Sequence, residues 1–422
     1  MIFNDDTNTS NDSDIKSLTP KGDMLSGMRV LDLSRALSGP FCTMTLGDLG
    51  ADIWKVEPAG EGDLARSWGP FDRGQSVYYL STNRNKRGIC IDFRNPEAVN
   101  VLREIALSCD VIVENFKPGT LEKMGFDLEG LRAIKPSLII ASISGFGSSG
   151  PISDRAGLDQ IAQGQSGFMS FTGTEETGST RVGVAIGDLT SGMWLVIGIL
   201  AAWCERLQTG RGRVIETSLF AGLVGLLSVQ GQRYLSLGQV AKPSGNSHPI
   251  ISPYGVFRAS DGDLNIGAAT QKMWLKLCDL IGSPELKSDP RFQDNACRHE
   301  NRSVLKSLID HRMSTQTREQ WTILLVDAGI PAGPINSMSD VFADPQLAHL
   351  ALITQVEHIE LGKIDQVLTP IHSDGMPVVG GRKAPPTLGQ HTRELLTEAG
   401  LSIDKIEDLI KEKVVFENSF GK

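Results

Sequence analysis

Short apolar runs alternate with stretches of helical periodicity over the first third of the chain. Five runs between Met28 and Ser144 (MRVLDL, ADIWKVE, RGICIDF, DVIVENF and SLIIASIS) are rich in β-branched residues, and helical patterns such as PEAVNVLREIALS separate them. This alternation is typical of a parallel sheet flanked by helices. The runs are apolar at nearly every position, as strands buried on both faces are. We therefore predict an α/β fold with a Rossmann-like, parallel-sheet large domain.

The pattern changes at GQVAKPSGNSHPIISP, which is rich in Gly, Pro, Ser and Asn and indicates a loop or boundary. The next segment, YGVFRASDGDLNIGA, predicts a hairpin, and helical patterns follow over residues 271–282 and 302–329. These elements predict a smaller α+β domain. The predicted organisation is a disordered tail over 1–25, the first part of the large domain over 26–224, the small domain over 225–330, and a return to the large domain over 331–422.

Composition indicates a globular protein and opposes nonspecific binding to nucleic acid or anionic membranes. The 422 residues are 40% hydrophobic and 22% charged, and the net charge of -9 opposes binding to nucleic acid or anionic membranes. The six cysteines show no CxxC pairing, which favours a reducing cytoplasm. The polar start, MIFNDDTNTSNDSD, lacks the features of a signal peptide. The apolar run Met193–Cys204 is shorter than a bilayer span and is interpreted as a buried helix.

Two familiar kinds of site find little support. GFGSSG (residues 145–150) matches a dinucleotide-binding loop after a strand, but Pro151 stands where a helix should open, and no strand ending in an acid follows at the required distance. An NAD-dependent oxidoreductase is therefore kept only as an alternative. There is no GxSxG, no HxxxH, and no histidine before His248. We expect no metal site and no permanently bound cofactor.

Basic residues gather in NRNKRGICIDFR and ENFKPGTLEKMGF, at the ends of predicted strands. Taken singly, such residues are most often solvated charges. Together, at the strand ends where open α/β sheets bind ligands, they could hold phosphates or carboxylates. The residues concerned are Arg84, Lys86, Arg87, Arg94, Lys117 and Lys123.

The segment GVAIGDLTSG (residues 183–192) places Asp188 just ahead of the apolar helix. Asp is a preferred N-cap, and the pattern alone favours a capping role. The same position would keep a carboxylate ionised and available as a nucleophile without a histidine base. Both interpretations stay open on the pattern.

Several stretches, in order, resemble the class III CoA-transferases, the family of formyl-CoA, carnitine and succinate-glutarate CoA-transferases. They include RVLDLSRALSGPFCTMTLGDLGADIWKVE, NKRGICIDFRNPE, ENFKPGTLEKMGF, GLDQIAQGQSGFMSFTG, GVAIGDLTSGMWLVIGILAA and APPTLGQHT. The resemblance implies that Asp188 is the nucleophile, through an aspartyl mixed anhydride and an aspartyl-CoA thioester. Coenzyme A and acyl-CoA would be substrates. The segments STRVGVAIGD and NSHPIISPYGVF are similar to the succinate-glutarate branch, which implies a dicarboxylate acceptor.

The resemblance also assigns candidate binding residues. A loop near the acyl group would contain Asn246, Ser247 and His248, and Arg181 or His248 would bind a distal carboxylate. Departures from formyl-CoA transferase at Leu37 and Pro58 argue against oxalate or formate specificity. The CoA-binding positions fall on Leu37, Ser38, Ile91, Arg94, Asn115, Phe116, Lys117 and Lys123.

Members of the same superfamily include α-methylacyl-CoA racemases, in which an Asp works with a His about 30 residues earlier. Asp159 occupies the acid position, but no His precedes it. The racemase or another acyl-CoA isomerase is the alternative activity, and a noncatalytic acyl-CoA-binding relative is a second one. Asp159 could instead orient loops near the anhydride, or be an ordinary polar loop residue. The resemblance further implies an interlocked homodimer.

Overall fold

The computed structural model describes residues 23–378 and 383–418, which form two compact units. The first unit comprises the chain through Ala162, Ala185–Leu226, and the chain from Leu350; the second comprises Gln163–Val184 and Leu227–His349. The second unit thus also takes in residues 163–184 and continues beyond residue 330, where the predicted small domain ended. Apart from residues 23–25, the predicted tail lies outside the described residues.

The first unit is built on a seven-stranded sheet in the order β10-β7-β6-β1-β2-β5-β18. All neighbours are parallel except β18, which pairs antiparallel with β5. The five apolar runs are five of these strands, which confirms a mixed α/β fold with a mainly parallel central sheet. The strands are β1 (Arg29–Asp32), β2 (Asp52–Pro58), β5 (Lys86–Ile91), β6 (Val111–Glu114), β7 (Ile139–Ser144), β10 (Val214–Ser218) and β18 (Val415–Phe416).

Strand β1 lies at the centre of the sheet, where Val30 is paired with Ile53 on one side and Val111 on the other. Because the paired strands are parallel, the segments that follow β1, β2, β6 and β7 all leave from the same edge. In open α/β sheets this carboxyl edge is where ligands bind. The segments 33–38 and 115–119 both begin there.

Helices cover both faces of the sheet because alternate side chains of each strand point to opposite faces. On one face, Leu31 joins an apolar core made by the strands and by helices α3, α16 and α17. On the other, Asp32 bonds to Thr43 of helix α1. The helices of the first unit are α1 (Ser38–Asp48), α2 (Val77–Leu80), α3 (Ala98–Ser108), α4 (Thr120–Lys123), α5 (Leu128–Ile134), α7 (Ile186–Thr209), α8 (Leu219–Gly225), α16 (Thr392–Glu398) and α17 (Ile403–Lys411), and α6 (Asp159–Gln165) runs on into the second unit.

Short hairpins complete the first unit. Strands β3 and β4 form one, β14 and β15 a second, and β16 and β17 a third. Strands β14 to β17 therefore pair with each other and do not join the central sheet. The ranges are β3 (Phe71–Asp72), β4 (Gln75–Ser76), β14 (Ile353–His358), β15 (Gly362–Val367), β16 (His372–Ser373) and β17 (Met376–Pro377).

Helix α7 contains the apolar run of the sequence and is 24 residues long. It is the one helix in the described part of the chain that is long and apolar enough to cross a membrane, and 44% of its most apolar 18-residue window is buried. Its buried side, which includes Leu195 and Ile199, packs on the sheet and on α1. Met193, Trp194 and Ile197 are 43–56% exposed. The helix is therefore buried on one side only.

The second unit has its own apolar core between a small sheet and several helices. The hairpin predicted from YGVFRASDGDLNIGA is present as β11 and β12, and β13 adds a third antiparallel strand. The second of the two predicted helical patterns is broken into α12 and α13. The ranges are β8 (Gly173–Thr174), β9 (Gly178–Ser179), α9 (Ser228–Leu237), β11 (Tyr254–Ala259), β12 (Gly262–Gly267), α10 (Gln271–Leu280), α11 (Asn295–Glu300), α12 (Arg302–Met313), α13 (Arg318–Asp327), β13 (Ala332–Pro334), α14 (Met338–Phe342) and α15 (Pro345–His349).

Candidate active site

Asp188 lies in the first turn of helix α7 but does not cap it. The N-cap position belongs to Ala185, and no side chain of that residue can cap. Asp159 supplies a capping contact instead, because its Oδ1 accepts a hydrogen bond of 2.8 Å from the Gly187 N–H. The capping role favoured for Asp188 is therefore wrong. Its carboxylate is left available for other contacts at the start of the helix.

The two glycines that flank Asp188 let other segments approach it closely. A Cβ on Gly192 would lie 2.7 Å from the Ser38 carbonyl oxygen and 3.1 Å from the Phe41 ring. A Cβ on Gly187 would lie 3.0 Å from Asp159 Oδ1. All three distances are shorter than an ordinary van der Waals contact, so an added side chain would require the neighbours to move. The glycines thus bring the start of α1 and the Asp159 carboxylate against the first turn of α7.

The electrostatic environment raises the pKa of Asp188 to about 7. Burial of the carboxylate is the largest cause and the negative charge of Asp159 is the second, while a hydrogen bond from the Ser38 hydroxyl acts in the opposite direction. The expectation that the helix start alone keeps Asp188 ionised is therefore wrong. Tyr78 belongs to the same environment: burial, Asp188 and Asp159 all raise the pKa of its phenol.

Buried ion pairs hold the loop between β1 and α1, which leads to Ser38. Lys86 Nζ lies 2.9 Å from Asp32 Oδ2, and Lys55 Nζ lies 2.9 Å from Asp63 Oδ2, with all four side chains fully buried. Lys55 also donates to the Ser34 carbonyl oxygen at 3.0 Å. Paired and hydrogen-bonded charges of this kind tolerate burial. The buried side chains of Lys55 and Lys86 thus hold the backbone of this loop in place.

Asp63 completes this support from the other end of the loop. Its Oδ1 accepts a 2.9 Å hydrogen bond from the N–H of Ala36, a residue with a φ of 65°. A positive φ is unfavourable for alanine, so the conformation needs fixed partners. The loop therefore presents Leu37 and Ser38 in one defined geometry.

An apolar cavity of about 280 Å³ opens beside this loop, at the carboxyl edge of the sheet. The Arg35 guanidinium lies 4.8 Å from the centroid of the Phe116 ring, which forms part of the cavity wall. A cavity with apolar walls and one cation is suited to a ring or chain that carries anionic groups. Its lining includes Leu33, Arg35, Val56, Phe93, Phe116 and Met124.

Comparison with known proteins decides what kind of protein carries this site. The sequence model of CoA-transferase family III matches residues 25–392. The chain belongs to CoA-transferase family III. The resemblance stated from the motifs is confirmed, and this protein is a CoA-transferase.

Named relatives cover nearly the whole length of this CoA-transferase. Succinyl-CoA:glutarate CoA-transferase of Mus musculus is 41% identical over 92% of this chain and 88% of its own. Succinate–glutarate CoA-transferase of Agrobacterium fabrum is 36% identical over 89% of this chain and 95% of its own. Among solved structures, a CAIB/BAIF family protein from Brucella suis is 38% identical, with a TM-score of 0.83 over 90% of this chain and 100% of its own.

The structure separates the predicted basic residues of this CoA-transferase into two groups. Arg84 is buried against Asp48, Lys86 against Asp32, and Arg87 against Asp52. These three side chains serve the fold, so a phosphate-holding role for them is wrong. Arg94 is 84% exposed and paired with Asp92, and the Lys117 and Lys123 side chains are exposed.

The remaining CoA-binding candidates differ in what they offer a ligand. Phe116 lines the apolar cavity, and Leu37 is nearly buried at the N-cap position of α1. Ile91 lies wholly in the hydrophobic core, so its side chain has no surface to offer. Ser38 is buried to 3% exposure, and its hydroxyl lowers the pKa of Asp188. Asn115 bonds to the Arg35 backbone.

The candidates for acyl-group recognition lie in the second unit. The Asn246–His248 turn is held by the His248 N–H, which donates to the Tyr254 carbonyl oxygen at 3.0 Å. The His248 ring stacks on Tyr254 at 4.9 Å between centroids, and its Nδ1 accepts from the N–H of Ile250 and of Ile251. The other ring nitrogen, Nε2, is therefore the atom that can meet a ligand. Arg181 is exposed.

The GFGSSG segment does not have the structure of a dinucleotide-binding loop. The next helix, α6, begins only at Asp159. A Cβ on Gly145 would lie 2.5 Å from the Gly157 Cα, so this glycine allows two backbone segments to touch. Its role is packing, which the motif alone could not distinguish from phosphate binding.

Sequence reasoning missed Tyr78, Arg35 and the influence of Ser38 on the pKa of Asp188. Tyr78 stands in an unremarkable apolar stretch, and nothing in the local pattern connects it to residue 188. Arg35 could have been found, because it follows the first strand of the sheet, where a basic side chain meets the carboxyl edge.

Proposed function

We propose that this CoA-transferase moves CoA from an acyl-CoA to a dicarboxylic acid, with Asp188 as the nucleophile. The observation that carries the proposal is the environment of this carboxylate. Asp188 lies in the first turn of a helix, and its pKa is influenced by Asp159 and Ser38, while Asp188 in turn raises the pKa of Tyr78. A pKa of about 7 is that of a group that is ionised in part at neutral pH and remains a better nucleophile than an ordinary carboxylate.

The transfer proceeds by four substitutions at carbonyl carbon. An Asp188 oxygen attacks the donor thioester, the C–S bond breaks, and CoA leaves as the thiolate, which gives a mixed anhydride. The thiolate attacks Cγ of Asp188 and releases the donor acid as its carboxylate. The acceptor carboxylate then attacks the aspartyl-CoA thioester and expels the thiolate. In the last step the thiolate takes the acceptor acyl group and restores the Asp188 carboxylate.

The apolar cavity beside Arg35 and Phe116 is where we propose that CoA binds. Phe116 would pack on its apolar or ring portions, and the exposed Lys117, Lys123 and Arg94 would pair with its phosphates. Arg35 adds a cation at the cavity wall. This arrangement supports affinity for CoA in a protein whose net charge is negative.

The acceptor is proposed to be a dicarboxylic acid because named relatives at 36–41% identity are succinyl-CoA:glutarate or succinate–glutarate CoA-transferases. Binding of its distal carboxylate is assigned to Arg181 or to Nε2 of His248. A cation or an N–H donor that pairs with the distal carboxylate would select dicarboxylic over monocarboxylic acids.

The test is to trap the acyl-enzyme. Incubation with succinyl-CoA, followed by hydroxylamine and peptide mass spectrometry, should modify one peptide at Asp188. Asp188→Ala should abolish both the modification and transfer to glutarate. Glu205→Ala, 17 residues further along α7 and so about 25 Å away, should leave both intact. Full turnover by Asp188→Ala would contradict the proposal. Deuterium exchange at the acyl α-carbon without transfer would point to the racemase or isomerase alternative.

The homodimer and the cytoplasmic location are part of the proposal. Helix α7 exposes Met193, Trp194 and Ile197, and α9 exposes Val229 and Leu235 at 74% and 79%. Apolar surface of this extent is suited to a second copy of the chain. The cysteines of the described residues are free thiols, as in a reducing compartment. Sedimentation equilibrium should give twice the chain mass of 45.6 kDa.

A further inference from the structure

A small cavity lies between the segment 247–257 and helix α12, wholly within the second unit. Its volume is about 30 Å³. One water molecule needs about 10–15 Å³ of such space. The cavity therefore has room for the two oxygens of one carboxylate, and the rest of a dicarboxylic acid would extend out of it.

The charges around this cavity favour an anion. Two cations of α12, Arg302 and Lys306, form part of its lining, and none of the described residues that line it is acidic. Lys306 Nζ pairs with Asp310 Oδ2 at 2.5 Å, so its charge is partly balanced. Arg302 is exposed and donates only to the His299 carbonyl oxygen, at 3.4 Å, with no acid of the described chain in ion-pair contact. Its charge is therefore available to a ligand, in a protein of net charge -9.

His248 adds a hydrogen-bond donor to the same cavity. Its Nδ1 accepts from the N–H groups of Ile250 and Ile251, at 3.2 Å and 3.1 Å, so the proton of the neutral ring is assigned to Nε2. Stacking on Tyr254, which also lines the cavity, holds the plane of the ring. The Nε2–H group is therefore a donor of fixed orientation beside a cation.

Two residues of α11 hold the backbone of the segment that follows His248. Asn295 Nδ2 donates to the Ile250 carbonyl oxygen at 2.8 Å, and its Oδ1 accepts from the Ser252 N–H at 3.1 Å. The buried Arg298 donates to the Ser252 carbonyl oxygen at 2.7 Å. This wall of the cavity thus has its shape before a ligand binds, which lowers the entropy cost of binding.

We infer that this cavity binds one carboxylate of a dicarboxylic acid, with Arg302 as the specificity-determining cation and His248 Nε2 as the second donor. The inference rests on the proposed function and deepens it, because it selects His248 over Arg181 and adds Arg302. A guanidinium and an N–H group match the two oxygens of a planar carboxylate. Since a succinyl donor and a glutarate acceptor each carry a second carboxylate, the same cavity serves both.

The test is the steady-state kinetics of Arg302→Gln. KM for glutarate and KM for succinyl-CoA should each rise about tenfold with little change in kcat, because a charged hydrogen bond to the carboxylate is lost. The Kd of free CoA, which has no carboxylate, should not change in calorimetric titration. Arg302→Lys keeps the charge and loses the planar fork, so it should recover part of the affinity. The matched control is Arg312→Gln, ten positions further along α12 and so about 15 Å away, which should leave all these constants unchanged.

The outcomes separate this inference from the proposed function. An unchanged KM for glutarate in Arg302→Gln would overturn it, and a rise confined to Arg181→Gln would assign the carboxylate to Arg181. A weaker Kd for free CoA in Arg302→Gln would also overturn it, because the cavity would then hold a phosphate of CoA. A fall in kcat together with the melting temperature, at constant KM, would show a structural role only. Absence of transfer to glutarate by the unaltered enzyme would instead remove the proposed function itself.

Discussion

The charge of Asp159 should set the acid limit of the reaction. Its carboxylate raises the pKa of Asp188, and its Oδ1 also accepts the Gly187 N–H. Asp159→Asn removes the charge and keeps an oxygen that can accept the same hydrogen bond. The substitution therefore isolates electrostatics from the geometry of the helix start.

The expected change in the pKa of Asp188 follows from the contribution of Asp159 relative to that of burial. The pKa of Asp188 rises from 3.8 to about 7, with burial the largest contribution and Asp159 the second. A neighbouring charge commonly accounts for about one to three pH units, and we take about one. At pH 6 the ionised fraction of Asp188 would then rise from about one tenth to about one half. Acylation at pH 6 should be about fivefold faster in Asp159→Asn, and nearly unchanged at pH 9.

The assay is kcat/KM for succinyl-CoA with saturating glutarate between pH 5 and pH 9, which reports groups of the free enzyme. The midpoint of the acid limb should lie near pH 7 in the unaltered enzyme and about one pH unit lower in the variant. Glu129→Gln, on α5, provides a carboxylate-to-amide control away from Asp188. A midpoint that stays in place or moves upward in Asp159→Asn would refute the electrostatic reasoning.

Three other predictions concern stability and binding. Because the folded state raises the pKa of Asp188, ionisation of this carboxyl group destabilises the fold fully above pH 7 and not below pH 4. Asp188→Asn should therefore raise the free energy of unfolding, measured by urea titration, by about 2 kcal/mol at pH 8 and by less at pH 5. Lys86→Met removes the cation that is paired with the buried Asp32, and it should lower the free energy of unfolding by about 3 kcal/mol in the same titration. An unchanged free energy of unfolding would show that the ion pair is dispensable. Phe116→Ala should raise KM for succinyl-CoA about tenfold at constant kcat, and an unchanged KM would place CoA elsewhere.

The sheet and its helices could be predicted from the sequence because they depend on local patterns. The five apolar runs and the segment that forms α3 carry their periodicity within a dozen residues, and burial on both faces leaves few alternatives. The pattern was less informative for residues 302–329, where one helical stretch is broken into α12 and α13 at residues 314–317. Such breaks depend on turns and on packing between helices.

The proposed nucleophile is indicated by the GDLTSG motif only through resemblance to a family. The local pattern alone favours a helix-capping role for Asp188. That prediction is wrong because Asp159, 29 positions earlier in the chain, accepts the hydrogen bond from the Gly187 N–H. The basic cluster was also ambiguous by pattern. Arg84, Lys86 and Arg87 form ion pairs with acidic residues of α1, β1 and β2. These pairs join residues far apart in the chain, so the sequence pattern does not predict them.

The sequence by itself determined the class of fold, the strands and helices of the sheet, the family, and which carboxylate is proposed as the nucleophile. Only the tertiary structure decided how that carboxylate behaves. The pKa of Asp188 depends on burial, on Asp159 and on Ser38, which come from three separate segments of the chain. Charge and desolvation act through space over a few ångströms, so their balance exists only after α1, α6 and α7 have packed together.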